Sequence, residues 1–168
     1  MGFMGCGKTT HGKKLAKKLN RPFIDLDHYI ERKENKSIPE IFKISGETHF
    51  RDLEAMYLKQ VIDRYESSVV SLGGGTPCFN KNINLINSSG LSIYIEMSPL
   101  SLFQRLENSV TARPLLLGKT KEEKIQLIEK LLSERENYYL QAPIKVNGIN
   151  LDTEKLMEAL SLHIGSSH

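Results

Sequence analysis

Apolar positions along the chain alternate between two spacings, and the alternation predicts the elements. Over residues 8–19 the apolar positions Leu15, Ala16 and Leu19 form a helical stripe among lysines, and Asn20-Arg21-Pro22 stops the run. Phe23-Ile24-Asp25-Leu26-Asp27 follows as a short strand, whose period of two puts Asp25 and Asp27 on the same side of its tip. Short helices are expected over 28–35 and 38–44, the second opened by Ser37 as a cap with Pro39 early in its first turn. Gly46 separates them from a longer helix over about 47–65, striped by Phe50, Leu53, Tyr57 and Val61.

The second half repeats the scheme. Val69-Val70-Ser71-Leu72 is a β-branched strand that stops at Gly73-Gly74-Gly75. A helix near 80–88 leads to a strand over 91–96, and Ser98-Pro99 opens a helix over 99–107. Residues 108–120 show no periodicity, which is the mark of a mobile or functional segment in a compact chain. The helix over 121–139 carries Ile125, Ile128, Leu131, Leu132 and Tyr139 on one face, a last strand spans 144–147, and an amphipathic helix closes the chain over 153–163. Neither repeats nor linkers appear, so residues 1–168 are expected to form one α/β domain with a parallel sheet.

Chemistry enters at the start. Gly2-Phe3-Met4-Gly5-Cys6-Gly7-Lys8-Thr9 has the P-loop spacing, in which backbone N–H groups curl around a phosphate chain. The helix beginning near Lys8 adds its positive end. Lys8 would reach the β- and γ-phosphates, and the Thr9 hydroxyl would ligate Mg²⁺. A P-loop normally follows a buried central strand, and here only Met1 precedes Gly2. The first strand of the fold is therefore expected to be missing, the sequence starting several residues late.

Parallel winding brings the tip with Asp25 and Asp27 to the same sheet edge as the P-loop, although acids there also suit a helix cap. Three consecutive glycines after a buried strand cost chain entropy and suit a close approach of backbone to a ligand. Arg51 and Glu54, three apart, are helical neighbours; a surface ion pair is the commoner fate of such a pair. Arg135 falls on an apolar stripe, either snorkelling to its edge or facing inward towards an anionic ligand. Arg113, in the unperiodic segment, suits a contact to transferring phosphate.

Composition narrows this little. The net charge of +3 is too small to argue for nucleic acid, and no apolar run is long enough to span a bilayer. Two cysteines make neither a disulfide framework nor a metal spacing, and no secretory signal is seen, so a cytoplasmic enzyme without a structural metal is expected.

Six motifs in one order make the chain specific. Gly-Phe-Met-Gly-Cys-Gly-Lys-Thr at 2–9, Asp-Leu-Asp at 25–27, Phe-Arg-Asp-Leu-Glu at 50–54, Ser-Leu-Gly-Gly-Gly at 71–75, Arg-Pro-Leu-Leu at 113–116 and Glu-Arg-Glu-Asn-Tyr-Tyr at 134–139 resemble shikimate kinase, a small P-loop kinase of the nucleoside-monophosphate-kinase fold. The resemblance runs from Gly2 to about Asp152 and implies a three-layer fold with a five-stranded parallel sheet, order 2-3-1-4-5, and a mobile lid over about 108–120. It implies transfer of the ATP γ-phosphoryl to the 3-hydroxyl of shikimate, in chorismate and aromatic amino-acid biosynthesis, by a monomer that uses Mg²⁺.

Carried over by motif, Gly5, Cys6, Gly7, Lys8, Thr9, Thr10 and Arg113 bind ATP, and Lys8, Asp27 and Arg113 are catalytic. Asp27, Arg51, Gly73, Gly74, Gly75 and Arg135 bind shikimate, with the two arginines on its carboxylate and Glu54 orienting Arg51. Thr9 and Asp25 serve the metal, Asp25 through water. Two departures stand out. Cys6 replaces the family's usual Ser or Ala, beside Lys8 at a helix start, where oxidation would block ATP binding. Residues 147–150 lack the arginine that in many members contacts adenine. The competing readings are a kinase for another small hydroxy acid such as gluconate, a nucleoside-monophosphate kinase, and a non-catalytic nucleotide-binding module.

Overall fold

The predicted order of elements is realised in a computed structural model that describes residues 1–109 and 116–165. Helix α1 (Lys8–Leu19) is followed by β1 (Phe23–Asp25), α2 (Leu26–Glu34), α3 (Ile38–Arg64) and β2 (Val69–Ser71). A short 3₁₀ turn (Thr76–Cys78), which the pattern did not predict, leads into α4 (Asn82–Ser89) and β3 (Ile93–Glu96). Then come α5 (Pro99–Glu107), α6 (Lys121–Tyr139), β4 (Ile144–Asn147) and α7 (Thr153–Gly165).

All strand pairing is parallel, β1 to β2 with Asp25 opposite Ser71, and β3 to β4 with Ile93 opposite Ile144. The described residues make two separate pairs rather than one continuous sheet. Met1 lies beside β3. Its nitrogen donates to the Ile93 carbonyl at 2.5 Å, and its own carbonyl accepts from Ile95 N at 3.0 Å. Its side chain packs against both hydrophobic clusters. One residue extends the edge of β3 but cannot bridge two ladders, since pairing needs a run of backbone groups.

Those clusters hold the site from either side. Ile24, Leu26, Ile30, Phe50, Tyr57, Val61 and Leu72 gather where α2 and α3 cover β1 and β2. Phe3, Cys6, Tyr94, Ile95, Leu102, Ile128 and Tyr139 gather where α5 and α6 cover β3. The P-loop and the triple glycine run between the two.

Two boundaries differ from the pattern, each for a local reason. The first strand ends at Asp25 rather than Asp27, because the Asp25 carboxylate accepts from His28 N at 3.4 Å and starts α2 there. Asp25 and Asp27 therefore do not share a strand face; Asp27 lies in the first turn of α2. The two helices expected around Gly46 form the single α3, bent where Gly46 adopts φ 78° and ψ 174°, a region open only to glycine. Ser37 and Glu40 make the capping box at its start, with Pro39 in the first turn as expected.

Candidate active site

Two neighbouring cavities collect nearly all the residues that the sequence singled out. The larger, about 600 Å³, is lined by Gly5, Gly7, Lys8, Thr9 and Thr10 of the P-loop and by Asp25, Asp27 and Gly74. Gly5 and Gly7 have φ of 83° and 93°, which lets the loop curl and leads into α1 at Lys8. The Lys8 ammonium is held over the loop by the carbonyls of Gly2 and Phe3, each at 2.9 Å. Donors and cation are thus in place along one wall, as a polyphosphate requires.

Thr9 and Asp25 meet as the sequence predicted, the Thr9 hydroxyl donating to Asp25 Oδ2 at 2.7 Å. Asp25 therefore both caps α2 and holds Thr9. The pair offers hard oxygen atoms beside the phosphate wall. Among the described residues there is no cluster of three or more His, Cys, Asp or Glu side chains for a metal. That donor set fits Mg²⁺, which keeps waters and phosphate oxygens and needs few protein ligands.

Asp27 carries the strongest electrostatic signal in this cavity. Burial pushes its carboxyl up from the ordinary aspartate range to about 6, the negative charges of Asp25 and Glu54 push the same way, and Lys8 opposes them. A carboxylate poised near neutrality beside a phosphate site is suited to accept a proton. The same shift fixes how folding responds to pH. Because the folded state binds this proton more tightly than the unfolded chain, Asp27 favours folding at low pH. That contribution is lost as pH rises from about 4 to about 6.

The smaller cavity, about 460 Å³, is lined among others by Arg51, Cys78, Phe79, Arg135 and Tyr138. Arg51 sits 4.1 Å above the Phe79 ring and donates from Nη1 to Glu54 Oε2 at 2.9 Å. Glu54 is 1% exposed and also accepts from the Thr76 hydroxyl at 2.5 Å. This is not the surface pair that a spacing of three residues usually gives; it is a buried brace that aims a guanidinium. Arg135 faces inward rather than snorkelling, 5.5 Å above the Phe3 ring. Two arginines from α3 and α6 therefore bound one pocket.

The triple glycine separates the two cavities, and its glycines are there for space. None of the three has positive φ. A Cβ on Gly73 would lie 2.7 Å from Asp27 Oδ1 and 2.9 Å from Glu54 Oε1, and one on Gly75 would lie 2.6 Å from Arg51 Nη1. A Cβ on Gly74 would meet Met4 N at 3.4 Å and Arg135 Nη1 at 3.6 Å. Gly73→Ala is accordingly expected to displace both acids, lowering kcat/KM at least tenfold and destabilising the fold by about 1–3 kcal/mol. Steady-state kinetics and a thermal melt check this, and full activity in the alanine variant would refute it.

A family model for shikimate kinase matches residues 4–164. The shikimate kinase of Bacteroides thetaiotaomicron is 41% identical over 158 residues, covering 94% of this chain and 90% of that one. The chain belongs to the shikimate kinase family. The crystal structure of a shikimate kinase from B. thetaiotaomicron superposes with a TM-score of 0.90 at 39% identity, over 96% of both chains. A shikimate kinase from Acinetobacter baumannii, solved in complex with shikimate, superposes with a TM-score of 0.79 at 32% identity, over 99% of this chain and 90% of that one. Membership assigns the chain the ATP-dependent phosphorylation of shikimate, a Mg²⁺-using kinase reaction of aromatic amino-acid biosynthesis. It also confirms the P-loop nucleoside-monophosphate-kinase type of fold.

Of the described residues that the shikimate kinase motifs carried over, all but Cys6 lie at the two cavities or against the side chains that line them. Arg113 lies outside the described residues. Cys6 is fully buried against Gly2 and Phe3, so oxidants and alkylating reagents reach it only when the loop opens.

Two residues lining the nucleotide cavity went unnoticed in the sequence. Arg105 of α5 donates to the Cys6 carbonyl at 3.2 Å and to the Gly148 carbonyl at 2.7 Å, tying the P-loop to the turn after β4. A cation thus stands beside the turn whose own residues lack one. His11 of α1 keeps Nδ1 buried without a partner; burial, then Arg105 and Lys14, holds its pKa below the usual value. No motif flags either residue, because each matters only through an approach made by tertiary packing.

Proposed function

We propose that this chain phosphorylates the 3-hydroxyl of shikimate, with Asp27 as the group that receives the hydroxyl proton. The observation that carries this reading is a carboxyl lifted to about 6 at the junction of a phosphate-binding loop and a two-arginine pocket. The A. baumannii shikimate kinase solved with shikimate supports the substrate class.

In this reading Arg51 and Arg135 hold the carboxylate of the acid, and guanidinium forks suit that geometry. Glu54 fixes the aim of Arg51, and the backbone of Gly73, Gly74 and Gly75 lies against the ring. The acceptor hydroxyl then points towards Asp27 and the P-loop. Asp27 takes the proton as the new O–P bond forms and the bond from the γ-phosphorus to the ADP oxygen breaks. Lys8 leaves the carbonyls of Gly2 and Phe3 to follow the charge on the phosphates. Thr9 and Asp25 would hold Mg²⁺, which supplies charge neutralisation between the phosphates when bound. Arg113 is assigned by its motif to the same phosphates. The transition state is loose and highly charged, so positioning and electrostatics supply most of the catalysis.

The chain is further proposed to act as a single-domain monomer in the cytoplasm. Among the described residues no helix is long and apolar enough to cross a membrane.

The product tests the reading. Proton and phosphorus NMR of the reaction mixture are expected to show one phosphomonoester coupled to the proton at carbon 3. Coupling at another ring carbon, or no phosphorylated shikimate, would contradict it. The pH dependence gives a second check. Because Asp27 must be ionised to accept the proton, kcat/KM is expected to fall about tenfold per pH unit below about 6 and to level off above it. A flat profile between pH 5 and 7 would remove Asp27 as the base.

A further inference from the structure

Arg51 is in contact with a second carboxylate besides Glu54. Its Nε and Nη2 both donate to Glu47 Oε1, at 3.2 and 2.9 Å, while Nη1 alone goes to Glu54. The two acids differ sharply in setting. Glu54 is 1% exposed and tied to Thr76, whereas the Glu47 side chain is 58% exposed and pairs with Arg51. Glu47 lines the two-arginine cavity, with Phe42, Phe79 and Arg135 around it. It also follows Gly46 directly, at the bend of α3, where nothing lies within 4 Å of a Cβ built on the glycine.

We propose that Glu47 is a specificity-setting gate, a carboxylate of the protein that occupies the outward edge of Arg51 and is exchanged for the carboxylate of the substrate. The inference rests on the proposed reading of this pocket as the shikimate carboxylate site. With Nη1 held by Glu54, the Nε–Nη2 edge is the one left through which this guanidinium can bind a carboxylate with two parallel hydrogen bonds. Only one carboxylate can use it at a time. Glu54 is too buried and too constrained to leave, so Glu47 must be the one to go. Swinging out costs it little solvation, because it is already mostly in water, and the open space at Gly46 gives the backbone room to turn.

The exchange replaces a half-exposed ion pair by one with the incoming acid, so the gate taxes every ligand that needs Arg51. A neutral or poorly fitting ligand cannot repay the displaced pair, which favours compact acids that also reach Arg135. An exposed or half-exposed pair of this kind is weak, so the tax is small in absolute terms.

Glu47→Gln tests this, with shikimate affinity read by calorimetry on the intact chain and kcat and KM read in parallel. The gate predicts that shikimate binds the variant about two- to five-fold more tightly, the size of an exposed ion pair, with KM falling likewise and kcat not reduced. Glu47→Ala, which removes the carboxylate altogether, is expected to tighten binding in the same direction. A purely structural Glu47 predicts the opposite, since Arg51 would be less well held. Unchanged or weaker binding by the glutamine variant in a protein with an unchanged melting curve overturns the gate. If both proteins bind shikimate but neither phosphorylates it, the proposed function fails while the affinity ratio still decides the gate. If neither binds shikimate, both readings are wrong.

Discussion

Asp27→Asn is expected to lower kcat by about two to four orders of magnitude, the usual contribution of a positioned general base, while leaving the chain folded. Asparagine keeps the shape and can still touch a ring hydroxyl, but it cannot accept the proton. KM for shikimate is therefore expected to change far less than kcat. The fall in rate below about pH 6 expected of the parent chain should disappear, because the group responsible is gone. Stability should move the other way. The pKa of the Asp27 carboxyl is raised by burial and by the neighbouring acids Asp25, Glu54 and Glu31, so at pH 7.5 its charge opposes folding. Its neutral replacement should melt at the same temperature or higher. Active sites commonly carry such a cost for function. A variant that loses activity and also melts much lower would mean that Asp27 holds the fold together instead.

Glu54→Ala is the largest expected loss of stability. Glu54 is almost wholly buried and satisfies both the Arg51 guanidinium, at 2.9 Å, and the Thr76 hydroxyl, at 2.5 Å. Removing Glu54 leaves the buried Thr76 hydroxyl without its acceptor and Arg51 with the exposed Glu47 alone, which costs about 3–5 kcal/mol, towards the lower end while Glu47 stays in place. For a chain of this size that corresponds to a fall in Tm of about 6–20 °C. Arg51 also loses its inner support, so KM for shikimate should rise in whatever protein remains folded. A melt within about 2 °C of the parent would show that α3 and the 3₁₀ turn are held by packing alone.

These expectations draw unequally on what the sequence made legible. The P-loop spacing, the cap at Ser37 and the stripes of α3 and α6 are local signals, and the structure follows them closely. The meeting of Thr9 with Asp25 was legible through topology, since parallel winding brings strand tips to one edge. Asp25 and Asp27 were misplaced on one strand face because an aspartate cap competes with strand geometry over two residues, and the cap won. By spacing alone Glu54 read as an ordinary surface acid, and only the resemblance gave it Arg51 to orient, for its burial depends on how α3 lies against the triple glycine. Arg105 and His11 gave no signal, because their contacts span the fold or depend on burial. Gly73 and Gly75 were read as making room for a ligand; the structure shows them also making room for the site's own acids and arginine.

The reading of Asp27, the arginine pocket and the gate all depend on one claim, that the acceptor is shikimate. A coupled ADP-release assay on this chain, with shikimate, gluconate and AMP as separate acceptors, tests it directly. The account predicts turnover with shikimate alone, lowered by about two to four orders of magnitude with Asp27→Asn. Turnover with gluconate or AMP, or ATP binding by a folded chain with no turnover on any acceptor, would contradict it.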